Sequence, residues 1–257
     1  MDWYFIAILY LLMHNLVIDI GNTNSKLAVF NQKELVLYQR LESLDHVFLA
    51  SLIEQYNIKN ATVSSVNAAT EDLSIFLKKL VNYIPFTTAV TAGIINNYRS
   101  LATLGLDRWA KVIAAHKLFY GKNTMMIDAG TCITYDVLNS KSQYFGGSIS
   151  LGINMRFKAL NNYTERLPLI NWPNEDAEIP LGNDTTNAIK SGVLNGVLNE
   201  VEGFIATESK KNSNLQIIIT GGDADFLNKQ LKNSIFASQI IQEPYLVLKG
   251  LNEVITL

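Results

Sequence analysis

Short apolar runs bounded by polar turns recur along the chain, and this pattern predicts β-strands. In the first half, a run ending in Asp19-Ile20 precedes a Gly-Asn-Thr turn and two further runs. Strands are predicted there at residues 16–20, 26–30, 35–41 and 61–66. The same order returns in the second half, with strands predicted at residues 124–128, 133–138, 143–149 and 215–220.

Helical spacing of apolar residues, preceded by capping residues, predicts the helices. Ser43 is a candidate N-cap for a helix reaching about Tyr56, and Thr70 is one for a helix with two acidic residues in its first turn. Further helices are predicted after Gly105 through about residue 119, from residue 183 or 184 to about 208, and from residue 223.

The two halves form an internal repeat. Residues 16–23 and 125–132 both read as a strand, an aspartate, a small turn and a second strand. A single Asp-x-Gly motif is weak evidence, but two such motifs in matching contexts indicate a duplication within the chain. With a boundary near Gly121, we expect an α/β chain of two similar domains, residues 13–121 and 122–257, facing one another across a cleft.

The apolar run at residues 3–13 is too short for a membrane span, which needs about 20 residues. It also lacks the basic start and the cleavage site of a signal peptide. It is either an extra apolar segment packed on the protein body or the product of a start codon assigned too early, and the second interpretation is favoured. No membrane partner is expected.

Composition narrows the classes further. The 257 residues are 48% hydrophobic and 17% charged, which excludes a disordered or collagen-like chain. The net charge is −2 and no Lys/Arg run occurs, so no nucleic-acid partner is expected. The single cysteine excludes an internal disulfide and a zinc site built from cysteines, and the three scattered histidines argue against a His-rich metal site. A reducing, cytoplasmic location is expected.

The turn after the first strand has the chemistry of a phosphate loop. Asp19, at the carboxyl end of its strand, can hold Mg²⁺ or its water shell. Gly21 lets backbone N–H groups approach a phosphate, and Lys26 adds a positive charge. A turn cap at Asp19 and a solvated Lys26 are the plainer alternatives.

The second half offers a mirror loop, in which Asp128 can hold a cation and Thr131 can bind a phosphate or merely finish a turn. Thr220-Gly221-Gly222 can pack against an adenosine, although this signal is weak alone.

Asp107-Arg108, just past Gly105, can do acid–base work and bind an anion. Viewed alone, the pair is more typical of a helix cap and a surface charge. Ala188, Gly192 and Gly196 lie four residues apart, which suits tight packing within the chain or a subunit contact.

As a set, these motifs resemble the type III pantothenate kinases of the acetate kinase/sugar kinase/Hsp70/actin superfamily. The resemblance spans about residues 16–251, and the LGxDR segment combined with two Asp-x-Gly loops makes it specific. It also rests on Gly146-Gly147, Leu151-Gly152, Leu167-Pro168, residues 182–185 and residues 248–251. It implies two duplicated ribonuclease H-like domains around a nucleotide cleft, a homodimer, and ATP-dependent phosphorylation of pantothenate to 4'-phosphopantothenate, the first step of coenzyme A biosynthesis.

The resemblance also implies roles for individual residues. The first phosphate loop comprises Asp19, Ile20, Gly21, Asn22, Thr23, Asn24, Ser25 and Lys26. Asp107 is the expected proton acceptor, and the pantothenate pocket is lined by Tyr98, Gly105, Leu106, Asp107 and Arg108. Asp128 is expected to bind a monovalent cation (K⁺ or NH₄⁺), Thr131 to contact ATP, and Thr185 to reach substrate from the neighbouring subunit.

The chain departs from the family pattern around Tyr98, where Asn97 and Leu101 replace customary prolines and remove two φ restraints. Cys132 stands where alanine is usual. Two alternatives remain: a kinase for another small hydroxyl substrate, and a non-catalytic ATP-binding or regulatory relative. The LGLDR segment argues against the first, and the intact Asp107 and phosphate loops argue against the second.

Overall fold

A computed structural model describes residues 13–21, 24–65, 70–172, 178–212 and 214–257. The chain forms two compact units. The first unit comprises the residues up to Lys117 and Tyr245–Leu257, and the second unit comprises Leu118–Pro244. The apolar run before Met13 lies outside the described residues, as do Asn22 and Thr23 of the predicted phosphate loop.

The first unit is built on a five-stranded sheet in the order β3-β2-β1-β4-β5. Strands β1 to β3 are antiparallel, whereas β4 and β5 run parallel to β1. Its strands are β1 (His14–Ile20), β2 (Ser25–Asn31), β3 (Glu34–Leu41), β4 (Ile58–Ser65), β5 (Asn82–Tyr83) and the short β6 (Ile95–Asn96). Its helices are α1 (His46–Gln55), α2 (Thr70–Leu80), α3 (Leu106–Leu118) and, near the end of the chain, α7 (Leu246–Ile255).

The second unit repeats this plan. Its strands pair in the order β11-β10-β7-β8-β9, with β7, β8 and β9 antiparallel and β10 and β11 parallel to β7. They are β7 (Thr124–Ala129), β8 (Cys132–Leu138), β9 (Gln143–Leu151), β10 (Gln216–Thr220) and β11 (Ile240–Gln242). Helices α4 (Ile153–Asn162), α5 (Thr185–Lys211) and α6 (Ala224–Leu231) complete it. The duplication predicted from the two Asp-x-Gly loops is therefore present in the topology.

The last helix lies in the first unit, which differs from the predicted second domain running to residue 257. Gly250 of α7 contacts the backbone of α3 so closely that an added Cβ would lie 1.9 Å from the Ala110 carbonyl oxygen. The Asn252 amide donates to the Gln32 carbonyl at 2.6 Å and accepts from the Asn15 amide at 3.0 Å. These contacts join α7 to α3 and to the β1–β2 pair.

Aspartate side chains cap the N-termini of α1 and α5. Helix α1 begins later than Ser43 predicts, because Asp45 is the N-cap and accepts from the Val47 N–H at 3.1 Å. Helix α5 begins after Asp184, one of the two predicted caps, which accepts from the Asn187 N–H at 2.8 Å. No helix within the described ranges combines the length and apolar character that a bilayer span requires.

Candidate functional site

The first predicted phosphate loop sits between β1 and β2. Asp19 lies inside β1, 7% exposed, directly opposite Lys26 in the antiparallel ladder. The turn between the strands is closed by the Gly21 N–H, which donates to the Asn24 carbonyl at 3.2 Å. Ser25, the first residue of β2, is buried. The register thus pairs an acidic and a basic residue at the same end of the sheet.

Asp107 occupies the first turn of α3 and is half-buried. An added Cβ at Gly105 would lie 2.5 Å from Asp107 Oδ1, so any other residue at position 105 would displace that carboxylate. Arg108 is 4% exposed, which contradicts the alternative of a surface charge. Its guanidinium carbon lies 5.5 Å from the centroid of the Tyr98 ring, a cation–π distance. Tyr98, Asp107 and Arg108 are therefore neighbours.

Side-chain hydrogen bonds hold the Tyr98 segment where the customary prolines are missing. The Tyr98 N–H donates to Asn96 Oδ1 at 3.1 Å. The Thr103 hydroxyl donates to the Ser100 carbonyl at 3.0 Å and lies 2.7 Å from the Ser100 hydroxyl. Polar side chains thus supply restraints in a segment that lacks two fixed φ angles.

A cavity of about 500 Å³ lies beside the Gly105 turn. Sequence reasoning missed this cavity, because Thr87 and Thr88 look like ordinary loop residues. The one available signal was Ser65, at the carboxyl end of a strand parallel to β1, where ligands of α/β proteins collect. The cavity wall comprises Ser65, Thr87, Thr88, Leu104, Gly105, Leu106 and the turn at 101–103.

The loop that carries Thr87 and Thr88 is hydrogen-bonded to α3. The indole N–H of the fully buried Trp109 donates to the Val90 carbonyl at 2.8 Å. His116, about two turns further along the same face of α3, hydrogen-bonds the Ala92 backbone. Burial lowers the pKa of His116 below its ordinary value, as does the neighbouring Lys117 charge, and the Ala92 hydrogen bond opposes them. The loop and the helix that carries Asp107 thus form one connected structure.

In the second unit, Asp128 of β7 lies beside Thr220 of β10 in a parallel register. Gly221 follows with φ +97°, and a Cβ there would lie 2.5 Å from Asp128 Oδ1 and 2.3 Å from the Ala129 carbonyl oxygen. The Asp223 N–H donates to that carbonyl at 2.9 Å. Only glycine lets this backbone approach the carboxylate so closely, which explains the first glycine of the Thr-Gly-Gly motif.

The predicted cation sites are not carboxylate clusters. Among the described residues, no three or more His, Cys, Asp or Glu side chains come together in a way that could hold a metal ion. Asp128 is half-buried and Thr131 of the same loop is exposed. A cation at Asp128 would therefore need backbone or phosphate oxygens to complete its shell.

Thr185 is exposed at the first turn of α5, where a groove of about 850 Å³ runs between α4 and α5. Gly192 also lines the groove, and a Cβ added there would meet nothing within 4 Å, so it does not pack tightly within the described chain. Apolar side chains dominate the remaining walls, including Leu151, Leu160, Leu167, Ala188, Ile189 and Val193.

One wall of this groove is fixed by an ion pair that sequence reasoning missed. Arg156 of α4 donates to Glu200 Oε2 at 2.5 Å, and the Tyr135 hydroxyl donates to Glu200 Oε1 at 2.8 Å. Burial alone would raise the pKa of Glu200, but hydrogen bonds from Arg156, Tyr135 and Ser150 hold it below its ordinary value. Burial, and then the Glu200 contact, raises the pKa of Tyr135.

A family model and curated relatives of this chain carry the same family name. A sequence model of the type III pantothenate kinases matches residues 15–207. The type III pantothenate kinase of Bacteroides fragilis is 41% identical over 245 residues, covering 94% of this chain and 97% of its own length. That of Phocaeicola vulgatus is 38% identical over 244 residues, with 94% and 98% covered.

Solved structures share the fold at low identity. A candidate Baf family transcriptional activator from Campylobacter jejuni superposes with a TM-score of 0.59 at 22% identity, covering 94% of this chain and 97% of its own. A candidate N-acetylmannosamine kinase from Listeria monocytogenes gives 0.54 at 15%, covering 95% and 98%. These likenesses show the fold alone, and they confirm the expected pair of ribonuclease H-like domains. Because the family model and the relatives together span nearly the whole sequence, the chain belongs to the type III pantothenate kinase family.

Proposed function

We propose that this chain transfers the γ-phosphoryl group of ATP to the primary hydroxyl of pantothenate, giving 4'-phosphopantothenate and ADP in the first step of coenzyme A biosynthesis. The observation that carries the proposal is the half-buried Asp107 in the first turn of α3. Its carboxylate lies close to Gly105, which lines the cavity that also contains Ser65, Thr87 and Thr88. Family membership supports the substrate class, and the cavity beside the Gly105 turn supports a substrate site near Asp107.

In this proposal Asp107 is the general base. Its carboxylate takes the proton of the pantothenate hydroxyl as that oxygen bonds to the γ-phosphorus and the bond to the bridging oxygen of ADP breaks. The buried Arg108, whose guanidinium carbon lies 5.5 Å from the Tyr98 ring centroid, would attract the carboxylate of pantothenate. Leu106 adds an apolar side chain to the cavity wall, which suits the gem-dimethyl group.

ATP and Mg²⁺ are assigned to the first phosphate loop, residues 19–26. A carboxylate at a strand end, two small hydroxyl residues and the Lys26 ammonium form a donor set that fits a hydrated Mg²⁺ and phosphate oxygens. The Gly21 turn fits too, because glycine leaves backbone N–H groups accessible. When bound, Mg²⁺ would neutralise charge on the transferred group.

A monovalent cation, K⁺ or NH₄⁺, is proposed at Asp128, with Thr131 as a contact of ATP. The close approach of Gly221 to the Asp128 carboxylate supports a cage of backbone and carboxylate oxygens there. We also propose a cytoplasmic location, on the strength of the single Cys132.

The test is an ATP-consumption assay with pantothenate, run in potassium and in sodium salts. We expect turnover that requires pantothenate and falls in sodium, and Asp107→Asn should lower it about 10²–10⁴-fold while nucleotide binding persists. Equal rates in both salts would remove the cation assignment. Turnover with another hydroxyl substrate alone, or nucleotide binding without any turnover, would select one of the two alternative functions.

A homodimer is proposed through the α4–α5 groove, with Thr185 completing the substrate pocket of the partner. The unfilled groove beside Gly192 supports this. Asp107→Asn and Thr185→Arg should each be inactive. If one site draws on both chains, random pairing of the two variants restores about a quarter of wild-type activity. No recovery, with mixed dimers verified by mass, would place both residues in one chain's site.

A further inference from the structure

Ser64 of β4 carries a buried hydroxyl that lacks a hydrogen-bond partner. The residue is 1% exposed, and its Oγ atom makes no hydrogen bond with any described residue. Thr62, two positions earlier on the same face, is buried too, but its hydroxyl donates to the Ile84 carbonyl at 2.7 Å. An unpaired buried hydroxyl destabilises a fold, so its presence calls for a reason.

Ser64 is the sheet neighbour of Asp19. The parallel register of β1 and β4 pairs the two residues, near the carboxyl ends of both strands. Ile18 and Val63, one position earlier in each strand, belong to the hydrophobic core on one face of the sheet. Side chains alternate along strands, so Asp19 and Ser64 share the opposite face.

Register partners on that face do reach one another. Asn15 and Asn60 are paired in the same ladder, and the Asn60 amide donates to Asn15 Oδ1 at 3.0 Å. Neighbouring strands lie about 4.8 Å apart. A group held at the Asp19 carboxylate is therefore close to the Ser64 side chain. Because Ser64 Oγ is buried, contact with that group requires Ser64 to change its χ1 rotamer.

From this placement, and resting on the proposed function, we propose that Ser64 binds the water shell of the nucleotide's Mg²⁺ at Asp19. Mg²⁺ keeps several of its waters in proteins, and each water needs acceptors for its hydrogens. A serine hydroxyl accepts one such bond and remains neutral, so it adds a contact without a second buried charge. In this proposal the Ser64 hydroxyl gains a hydrogen-bond partner when the nucleotide binds with its Mg²⁺.

Two hydroxyl deletions separate this role from a structural one. Ser64→Ala removes the unpaired hydroxyl, so the thermal midpoint of the full-length protein should stay the same or rise. Thr62→Val removes a hydroxyl that is hydrogen-bonded within the fold, so its midpoint should fall. Calorimetric titration with ADP, with and without MgCl₂, then measures binding in both variants and requires neither pantothenate nor turnover.

We expect Ser64→Ala to weaken ADP binding in MgCl₂ about 3- to 10-fold, the effect of one hydrogen bond, and to leave binding without metal unchanged. Thr62→Val should bind as the wild type does in both conditions. Unchanged affinity of Ser64→Ala in MgCl₂, or an equal loss without metal, would overturn the Ser64 proposal alone. A wild-type protein that binds no ADP would overturn the ATP-dependent function and the Ser64 proposal together.

Discussion

Replacing Gly250 by alanine tests whether the contact between α7 and α3 stabilises the first unit. The new Cβ would lie 1.9 Å from the Ala110 carbonyl oxygen and 2.6 Å from its carbon. Ordinary contacts to carbon are about 3.5 Å, so the helices must separate by more than about 1 Å. Overpacking of this kind destabilises by about 1–3 kcal/mol, and the clash with backbone favours the upper end. Better helix propensity returns about 1 kcal/mol, so we expect a net loss near 2 kcal/mol.

Urea denaturation measures the loss, and turnover should fall as well because α3 carries Asp107. Gly203→Ala is the matched control, since Gly203 also lies inside a helix but a Cβ there would meet nothing within 4 Å. That variant should gain up to about 1 kcal/mol and keep its turnover. A Gly250→Ala protein as stable as Gly203→Ala would refute the close packing of α7 on α3.

Three further substitutions have definite expected outcomes. Glu200→Gln should lower the free energy of unfolding by about 1–3 kcal/mol at neutral pH, as measured by denaturant titration. The stability difference from wild type should shrink as acid protonates the wild-type carboxylate, whose pKa is lowered. A stability difference that stays constant down to low pH would count against the Arg156 pair. The lowered pKa of His116 means that the unfolded chain takes up its proton first, so wild-type thermal midpoints should drop as pH falls below about 6.5. His116→Gln should show a shallower drop, and parallel curves would contradict this. Thr88→Val should raise KM for pantothenate about 3- to 10-fold without changing KM for ATP, and an unchanged pantothenate KM would detach the cavity from the substrate.

The two sheets could be predicted because their central strands are apolar runs that end in Asp-x-Gly turns. The first loop follows directly from that pattern, as the Asp19–Lys26 register shows. The position of α7 could not be predicted. Its marker is a single glycine, Gly250, whose partner Ala110 lies far away in sequence and is an ordinary helical alanine.

At the candidate site, the sequence located Gly105 and Asp107 but left the surroundings open. A charged residue at a helix start is usually solvated, so the burial of Arg108 gives no sequence signal. The contact between Arg156 and Glu200 joins residues 44 positions apart on two helices, with no shared periodicity. Such contacts depend on the tertiary fold, which local patterns do not encode.

The place of Asn252 has a consequence for how the protein is made. Its amide bonds to Asn15, 237 positions earlier, so β1 waits for that partner until nearly the whole sequence has been translated. The second unit, Leu118–Pro244, is continuous and leaves the ribosome complete before α7 does. Domains generally fold as units during synthesis, at about 5–20 residues per second. We therefore expect nascent chains to hold a folded second unit while the amino-terminal sheet, still uncovered by α7, is the part that chaperones recognise.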